Sequence, residues 1–382
     1  MMRICSKGIQ YLGLLVFSLL LSGCGMSKRS VGEPAIWDLT EMRQQKTNPA
    51  NEKYVTNIKK LGEQQRVEKN VVVTTNEKTF ATDRHYYCSV GPYWWPDPEN
   101  PGKYINRDGY INPDRSQYGR EKLSQLTKRC QNLGRAFYMT GERQYYDSFV
   151  QQLRAWFIDK DTYMYPNFEY AQVIPGQNGN KGRSTGMIDA YDFNTIIEGI
   201  RLVNSVKAID RRTMKALQSW FSDFAEWADD SYGMFYKKID KNTSLAFDVT
   251  LANMYLFAGN EKRAKEIVDD FAALRIERQI LDDGSQPSEL KRTKSFSYSI
   301  FNLTHIIDMC YLARYWYPNY YLEHRERIDK AFEFLGQYVD NPDGFPYQQI
   351  SSWEKCKKEY NKQLERIKKL RANGINQMAS HI

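Results

Sequence analysis

Helical periodicity dominates the sequence after residue 119. Leu123, Leu126, Cys130, Leu133 and Phe137 recur three or four positions apart, as the apolar face of a helix requires. Strand signals are scarce, and helices joined by short turns pack as antiparallel hairpins. Several hairpins in succession predict an all-α fold, an α/α toroid whose hairpins form an incomplete barrel and whose long loops form a cleft at one rim. Further helices are expected at 37–66, 190–209, 213–232, 245–259, 260–282, 295–317, 322–340 and 353–372.

The N-terminus has the form of an export signal. A basic start precedes a short apolar stretch, residues 11–21, and small residues follow. Residues 21–24, Leu-Ser-Gly-Cys, match a lipobox, in which Cys24 becomes the lipidated first residue. An ordinary signal peptide cleaved nearby is the alternative. We therefore expect an exported lipoprotein in the periplasm or at the outer membrane, held to the membrane by its lipid, with a signal peptide at 1–23, a tether at 24–35 and a single domain at 36–382.

Composition narrows the classes of partner. The chain is 41% hydrophobic and 14% aromatic, which is enough to bury a substantial core. Its net charge of +8 suits an acidic partner such as a polyanionic sugar, and the export signal argues against nucleic acid. Much of the positive charge lies in the predicted C-terminal helix, where a solvated helix face is the better explanation.

Cysteine and histidine usage indicates no metal site. Cys88, Cys130, Cys310 and Cys356 are widely spaced, and no pair has the spacing of metal ligands. One or two disulfides and buried free thiols are equally open for them. The four histidines form no HExxH-like pattern, and His305 lies on an apolar helix face, where we expect a core histidine whose hydrogen bonds are satisfied. We therefore expect neither a metal nor another cofactor.

Two long loops interrupt the helical pattern. Residues 81–118 are rich in aromatics and prolines, and residues 161–189 contain a glycine- and asparagine-rich stretch. Aromatic rings stack on the C–H faces of sugars, although such a cluster also suits a structural cover over the core. The candidate sugar-binding residues are Tyr86, Tyr93, Trp94 and Trp95 in the first loop and Asn167, Tyr170, Gln172 and Arg183 in the second.

A third polar segment, residues 283–299, runs from a loop into a helix that Ser295 can cap. Glu289, Arg292 and Tyr298 therefore lie at a loop-to-helix junction. Arginine can hold a planar carboxylate in a bidentate fork, and tyrosine can exchange a proton when its pKa allows. These three side chains suit binding and chemistry on an acidic sugar. The structural alternatives are a salt bridge between Arg292 and Glu289 and a half-buried helix tyrosine.

Four segments resemble, in the same order, the signature blocks of the alginate lyase domain family. The resemblance implies an α/α toroid and β-elimination on a uronic-acid polysaccharide. It also implies that Tyr298 transfers protons, while Arg292 and Asn242 neutralise the C5 carboxylate and Glu289 belongs to the substrate site. The segments are 85–98, 153–157 with 164–172, 182–189 and 283–299.

One position departs from the family pattern. The lyases that the chain resembles carry Asn-Asn-His at the start of a central helix, where this sequence has Lys241-Asn242-Thr243. Asn242 matches, but Thr243 replaces the histidine and cannot act as a general base near neutral pH. Either Tyr298 acts as both base and acid, which favours syn elimination, or His85 takes part, or activity is lost. The first option is preferred.

Two other functions stay open. Asp189 and Asp192 suggest the carboxylate pair of a glycoside hydrolase, which α/α toroids also support. A non-catalytic lipoprotein that binds acidic glycans on a lyase scaffold is the second alternative. An arginine close to a tyrosine favours elimination over hydrolysis. The sequence therefore predicts a polysaccharide lyase acting on a 4-linked uronan such as alginate or glucuronan.

Overall fold

A computed structural model describes residues 32–379 of the chain, with side chains up to residue 372. The predicted signal peptide, Cys24 and most of the predicted tether lie outside the described residues. Among the helices that are described, none combines the length and the apolar character needed to span a membrane.

The described residues are mainly helical. A π-helical turn, Ala272–Ile276, follows the eighth α-helix. In chain order the α-helices are α1 (Leu39–Thr47), α2 (Glu52–Arg66), α3 (Gly119–Thr140), α4 (Arg143–Phe157), α5 (Asp192–Val206), α6 (Arg211–Tyr236), α7 (Asn242–Ala258), α8 (Glu261–Phe271), α9 (Glu277–Gln279), α10 (Pro287–Leu290), α11 (Ser295–Ala313), α12 (Tyr320–Gly336) and α13 (Trp353–Ala379).

The longer helices form two layers. Helices α3, α5, α7 and α11 contact one another in this order as an inner layer, and α4, α6, α8 and α12 alternate with them along the chain as an outer layer. Helices α7 and α11 are buried on nearly every face because neighbours surround them. The predicted all-α fold, an α/α toroid, is confirmed.

The alternation of layers determines where the loops lie. Because an outer helix returns the chain between successive inner helices, the inner helices run in the same direction. Their N-termini, and the segments that precede them, therefore meet at one rim of the toroid. The first long loop, residues 81–118, is called the aromatic loop below and precedes α3. The second long loop, residues 161–189, precedes α5, and residues 283–294 precede α11. The three segments predicted from sequence to carry site residues, 81–118, 161–189 and 283–299, therefore lie together at this rim.

Short strands, which the sequence did not predict, order the two long loops. Strand β1 (Cys88–Val90) pairs in parallel with β4 (Tyr170–Val173) and so joins the first loop to the second. Strands β2 (Trp94–Pro96) and β3 (Tyr104–Asn106) form an antiparallel hairpin within the first loop.

Two predicted helices need correction. The stretch 37–66 is divided into α1 and α2, because Asn48 and Pro49 end the first helix and begin a 3₁₀ turn. The stretch 260–282 leaves α-helical geometry after Phe271, where the π-helical turn inserts.

The C-terminal helix matches its predicted role as a solvated face. Most of its basic side chains form ion pairs: Lys357 with Asp340, Lys362 with Glu359, Arg366 with Asp308, Lys368 with Glu365, Lys369 with Glu41, and Arg371 with Asp329. Because acidic neighbours offset this charge, the helix is a poor polyanion-binding surface.

The four cysteines of the described region are buried free thiols, so the disulfide alternative does not hold for them. Burial raises the pKa of both Cys130 and Cys310 to about 12, which keeps these two thiols protonated and inert.

Candidate active site

The first turn of α7 is held by a carboxylate from another segment. Glu289, on the short helix α10, accepts the backbone N–H of Asn242 at 2.8 Å and also accepts the Asn242 side-chain amide. A carboxylate at a helix N-terminus interacts favourably with the helix dipole. Glu289 is 1% exposed, and burial raises its pKa while the bonds from Asn242 oppose that rise. Glu289 thus positions Asn242 at the rim, and its two oxygens are committed to that task.

The first turn of α11 is held from a distance as well. The side-chain oxygen of Gln349 accepts the backbone N–H groups of Phe296 at 3.0 Å and Ser297 at 3.2 Å. Ser295, which the sequence predicted as the cap, instead starts the helix and donates its hydroxyl to the Gln348 carbonyl at 2.7 Å. These contacts fix the backbone one residue before Tyr298.

Tyr298 lies between a phenol and a guanidinium. Its Oη is 2.6 Å from the Oη of Tyr93, a residue of the aromatic loop. The Arg292 guanidinium carbon lies 4.2 Å from the centre of the Tyr298 ring. Burial raises the pKa of Tyr298 well above its usual value and Tyr93 raises it further, whereas Arg292 lowers it. Tyr298 is therefore protonated in the free protein at neutral pH.

Arg292 is tied to the aromatic loop through Asp108. Its Nη2 and Nε donate to the two Asp108 carboxylate oxygens at 2.6 and 3.2 Å. Burial lowers the pKa of Arg292, but the bonds to Asp108 outweigh it and leave the pKa raised. The side-chain salt bridge to Glu289, considered from sequence, is replaced by this pair. Nη1 of Arg292 has no hydrogen bond within the described region and stays available for a substrate.

A glycine permits this contact between the loop and the helix segment. Gly109 follows Asp108 and has φ of +80°, in the left-handed region. A Cβ at Gly109 would lie 2.4 Å from Oγ1 of Thr293, which itself donates to the carboxylate of Asp108 at 3.0 Å. The loop can therefore dock on residues 292–293 only because position 109 lacks a side chain.

A second group of candidate residues surrounds Gln172. Arg183 donates from Nη2 to Gln172 Oε1 at 3.1 Å, and its guanidinium carbon lies 5.8 Å from the centre of the Trp94 ring. Gln172 is buried with φ of 52°, a backbone conformation that is uncommon for a residue with a side chain. Such strain is often found at functional sites. Gln172, Arg183 and Trp94 form one cluster.

A cavity of about 250 Å³ lies beside this cluster. Phe301, one helical turn beyond Tyr298, lines it together with Gln172. Two arginines that sequence reasoning missed, Arg115 and Arg120, also line it. The Arg115 side chain forms no hydrogen bond or ion pair with residues of the described region, and its positive charge opposes the burial that raises the pKa of Asp192 in the same cavity. In the sequence these arginines carried no signal beyond a turn-rich segment and a helix start.

Arg120 binds the two carboxylates that suggested a hydrolase. Its Nη1 lies 2.7 Å from Asp192, and its Nε lies 3.6 Å from Asp189. Asp189 also accepts the hydroxyls of Tyr87 at 2.9 Å and Ser89 at 2.8 Å. Both carboxylates are therefore engaged within the protein, and Asp189 is buried in a structural network.

The remaining aromatic candidates form a separate cluster. His85 Nδ1 lies 2.5 Å from the Tyr163 carbonyl, and its ring packs against Tyr163 and Tyr165. Tyr86 packs edge-on against Tyr165 and Tyr170. None of the contacts of His85 reaches Tyr298, so the structure does not bring these two residues together.

Two further candidates have local contacts. The side-chain oxygen of Asn167 accepts the Glu169 backbone N–H at 3.2 Å, which closes a turn in the second loop. Trp95 lies on β2 and donates from Nε1 to the Tyr110 carbonyl at 2.9 Å. The described residues contain no group of histidine, cysteine, aspartate and glutamate side chains suited to hold a metal.

Comparisons with known proteins identify the family and the fold. The sequence profile of the alginate lyase family matches residues 70–345, well over half of the chain. A crystal structure of an alginate lyase from Bacteroides ovatus matches with a TM-score of 0.82 at 32% identity, over 90% of this chain and 95% of that chain.

A more distant match is alginate lyase A1-III from Sphingomonas species A1, with a TM-score of 0.44 at 14% identity over 75% of this chain and 78% of that chain. No curated protein is significantly similar in sequence. On the family profile and the Bacteroides ovatus structure, the chain belongs to the alginate lyase family.

Proposed function

We propose that this protein is a polysaccharide lyase that cleaves a 4-linked uronic-acid polysaccharide, alginate or glucuronan, by β-elimination. Family membership supports the reaction class. The observation that carries the proposal for this chain is the Tyr298 phenol held between Tyr93 and Arg292 at the rim of the toroid.

The reaction needs three events at one sugar ring. The proton on C5 is removed, the C5 carboxylate is neutralised so that the carbanion-like state is reachable, and the C4–O4 bond breaks as O4 takes a proton. The electron pair of the C5–H bond becomes the C4–C5 double bond. A single residue that lies on the same face as H5 and O4 can take the first proton and deliver it to O4, which corresponds to syn elimination. We assign both proton transfers to Tyr298.

Tyr298 must be ionised to act as the base, and ionising this buried phenol costs free energy. Because burial and Tyr93 raise its pKa, the phenolate needs stabilisation from its surroundings when it accepts the C5 proton. The Arg292 guanidinium over the ring provides this stabilisation, because its positive charge lowers the pKa of Tyr298. The neutral phenol, which donates the proton to O4 later in the reaction, needs no such stabilisation because the raised pKa favours it.

Three groups are proposed to neutralise the carboxylate. Asn242 has one amide hydrogen left after its bond to Glu289, and Arg292 has a free Nη1 beside its pair with Asp108. Arg115 adds an unpaired guanidinium at the neighbouring cavity. Donors placed where charge develops usually make the largest contribution to catalysis. Tyr86, Tyr93, Trp94, Trp95, Asn167, Tyr170, Gln172 and Arg183 are the proposed sugar-binding residues.

The hydrolase alternative has less support from the geometry. A hydrolase needs one carboxyl group that can protonate the glycosidic oxygen and a second that is free to act as base or nucleophile. Asp189 is saturated by Tyr87, Ser89 and Arg120, and Arg120 also holds Asp192. Elimination at Tyr298 requires neither carboxylate.

The test is an assay on two polymers. The purified protein is incubated with alginate and with glucuronan, and the absorbance of the unsaturated uronyl product is followed. We expect absorbance on at least one polymer and none with Tyr298→Phe, which should still bind it. Reducing ends without unsaturated product would establish a hydrolase, and binding without either product would establish the non-catalytic glycan-binding protein.

The location of the protein is a separate proposal. The sequence of residues 21–24 supports export and lipidation at Cys24, followed by a tether and one domain from residue 36. Metabolic labelling with a fatty acid tests this directly: label should enter the wild-type protein but not Cys24→Ala. Equal labelling of both proteins would rule out this anchor.

A further inference from the structure

A short segment, residues 348–351, lies between α12 and α13, beyond the part of the chain that the family profile matches. It forms an antiparallel bridge with the residues that precede α11. The Ser295 N–H donates to the Gln348 carbonyl at 3.1 Å, and the Ile350 N–H donates to the Thr293 carbonyl at 3.0 Å. These backbone bonds fix the path of the chain where it enters α11.

The side chain of Gln349 caps the first turn of α11. Its oxygen accepts the N–H groups of Phe296 and Ser297, which have no acceptor within the helix because they lie in its first turn. Tyr298 is the next residue, and its N–H donates to the Lys294 carbonyl at 2.9 Å as the helix begins. The cap therefore ends one residue before the proposed proton-transfer group, although it comes from a segment about fifty residues later in the chain.

Three polar atoms determine which way the Gln349 amide faces. Its nitrogen donates to the hydroxyl of Ser351 at 2.5 Å and to that of Ser297 at 2.8 Å, and it lies 3.3 Å from the sulfur of Cys356 on α13. A flipped amide would place its own N–H groups against the backbone N–H groups of α11 and would lose these acceptors. The amide oxygen therefore faces α11, and the Gln349 side chain has one favoured orientation.

The same segment also contacts the aromatic loop. A Cβ at Gly109 would lie 2.9 Å from Cδ1 of Ile350, so the Ile350 side chain lies against the backbone of that loop. The loop carries Tyr93, whose phenol meets the phenol of Tyr298. The segment therefore contacts both elements that carry this pair of phenols.

We propose that Gln349 is a positioning residue for the lyase reaction, because its cap on α11 sets the Tyr298 phenol where it meets Tyr93 and Arg292. The inference rests on the proposed function, in which Tyr298 transfers both protons. Within the described region, the hydrogen bonds of the Gln349 side chain go to the first turn of α11, to its own segment and to α13. Gln349 therefore acts on the rate of the reaction rather than on the binding of the polymer.

The test compares Gln349→Met, Gln349→Glu and Gln348→Met in the full chain, with alginate and glucuronan as substrates. Methionine has nearly the length of glutamine but no amide, so Gln349→Met removes the cap and keeps the volume. We expect kcat to fall between about tenfold and about a hundredfold, as a misplacement of about 1 Å predicts, while KM stays within about threefold of wild type. Gln348→Met is the matched control, because the Gln348 side chain is exposed and should be dispensable.

Gln349→Glu tests rescue by a conservative change. Its carboxylate can accept both N–H groups of the first turn, and a negative charge is favourable at a helix N-terminus. The hydroxyls of Ser297 and Ser351 can turn to donate to its second oxygen. We therefore expect kcat within about threefold of wild type. Wild-type kcat in Gln349→Met, or an equal loss of kcat in Gln349→Met and Gln349→Glu, would overturn the positioning role.

A crystal structure of Gln349→Met gives a readout that does not depend on activity. The phenol oxygens of Tyr93 and Tyr298, 2.6 Å apart in wild type, should separate by about 1 Å or more. An unmoved Tyr298 would overturn the positioning role, whether or not the protein is a lyase. If wild type cleaves neither polymer but Tyr298 moves in the variant, the proposed function fails while positioning by Gln349 stands. Gln349→Asn, whose amide is one carbon shorter, replaces Gln349→Met if that variant does not fold.

Discussion

The Oη atoms of Tyr93 and Tyr298 lie 2.6 Å apart, although 205 residues separate them in sequence. Tyr93 belongs to the aromatic loop before α3, and Tyr298 belongs to the first turn of α11. The contact brings a residue predicted to stack on sugar next to the residue predicted to transfer protons. It gives Tyr93 a role in setting the protonation of Tyr298, in addition to any contact with substrate.

Tyr93→Phe tests that role. The change removes a hydroxyl that hydrogen-bonds to Tyr298 and that raises its pKa. We expect kcat to fall about tenfold, because the phenol of Tyr298 loses the hydrogen bond that orients it. The alkaline limb of the pH–rate profile should move to lower pH, because Tyr298 then ionises more readily. Tyr110 is an exposed tyrosine of the same loop, so Tyr110→Phe should leave kcat and the pH–rate profile unchanged. A wild-type profile in Tyr93→Phe would limit Tyr93 to packing.

The sequence predicted Tyr93, Arg292 and Tyr298 as site residues but not the contacts that connect them. Helical periodicity is a local signal, so it located the inner helices and hence the rim. The Asp108–Arg292 pair spans 184 residues and depends on Gly109 allowing close approach. In the sequence, Asp108-Gly109 is only a turn. Contacts of this kind follow from tertiary packing, which no window of the sequence reports.

Asp108→Asn tests the docking of the aromatic loop. The variant keeps the shape of Asp108 but removes the charge that pairs with Arg292, whose side chain is 31% exposed. We expect kcat/KM to fall about tenfold, at the upper end of what a partly exposed bidentate pair contributes. The loop should also be cleaved faster in limited proteolysis. Glu99→Gln, an exposed change in the same loop, serves as the control. Wild-type kinetics and proteolysis in Asp108→Asn would show that the loop docks without this pair.

Glu289→Gln tests the support of Asn242. Glutamine has one oxygen, so its amide nitrogen would face a donor of Asn242 where a carboxylate oxygen now accepts. We expect a loss of about 1–3 kcal/mol in unfolding free energy, because Glu289 is buried. The rate should also fall at least about tenfold, since the Asn242 amide loses its orientation.

The matched control for Glu289→Gln is Glu277→Gln. Glu277 is an exposed partner of Arg327, so its loss should cost less than about 1 kcal/mol. Stability is measured by urea denaturation and rate by product absorbance. Equal stability and rate in Glu289→Gln and wild type would mean that Asn242 needs no such anchor.

Thr243→Val tests whether the residue in the family's histidine position takes part in the reaction. The Oγ1 of Thr243 is buried without a hydrogen-bond partner in the described region. Valine has nearly the same shape, so we expect activity within about twofold of wild type and stability that is equal or higher, because an unpaired buried hydroxyl costs about 1–3 kcal/mol. A loss of activity larger than tenfold with unchanged Tm would instead assign the hydroxyl to catalysis.

His305 predicts how the fold responds to acid. It is fully buried against Tyr191 and Phe301, as the sequence predicted for a core histidine. The expectation that its hydrogen bonds are satisfied is wrong, because neither ring nitrogen has a partner among the described residues. Burial lowers its pKa from 6.5 to about 3, so the unfolded chain takes up a proton in this range before the folded chain does. The stabilising effect of keeping His305 neutral is complete above pH 6.5 and is lost as the pH falls toward 3, by about 1.4 kcal/mol per pH unit. His305→Phe removes this titration and both unpaired nitrogens. The free energy of unfolding, measured with urea between pH 7 and 4, should therefore fall less steeply in the variant than in wild type. Parallel pH dependences for the two proteins would exclude His305 as a source of acid sensitivity.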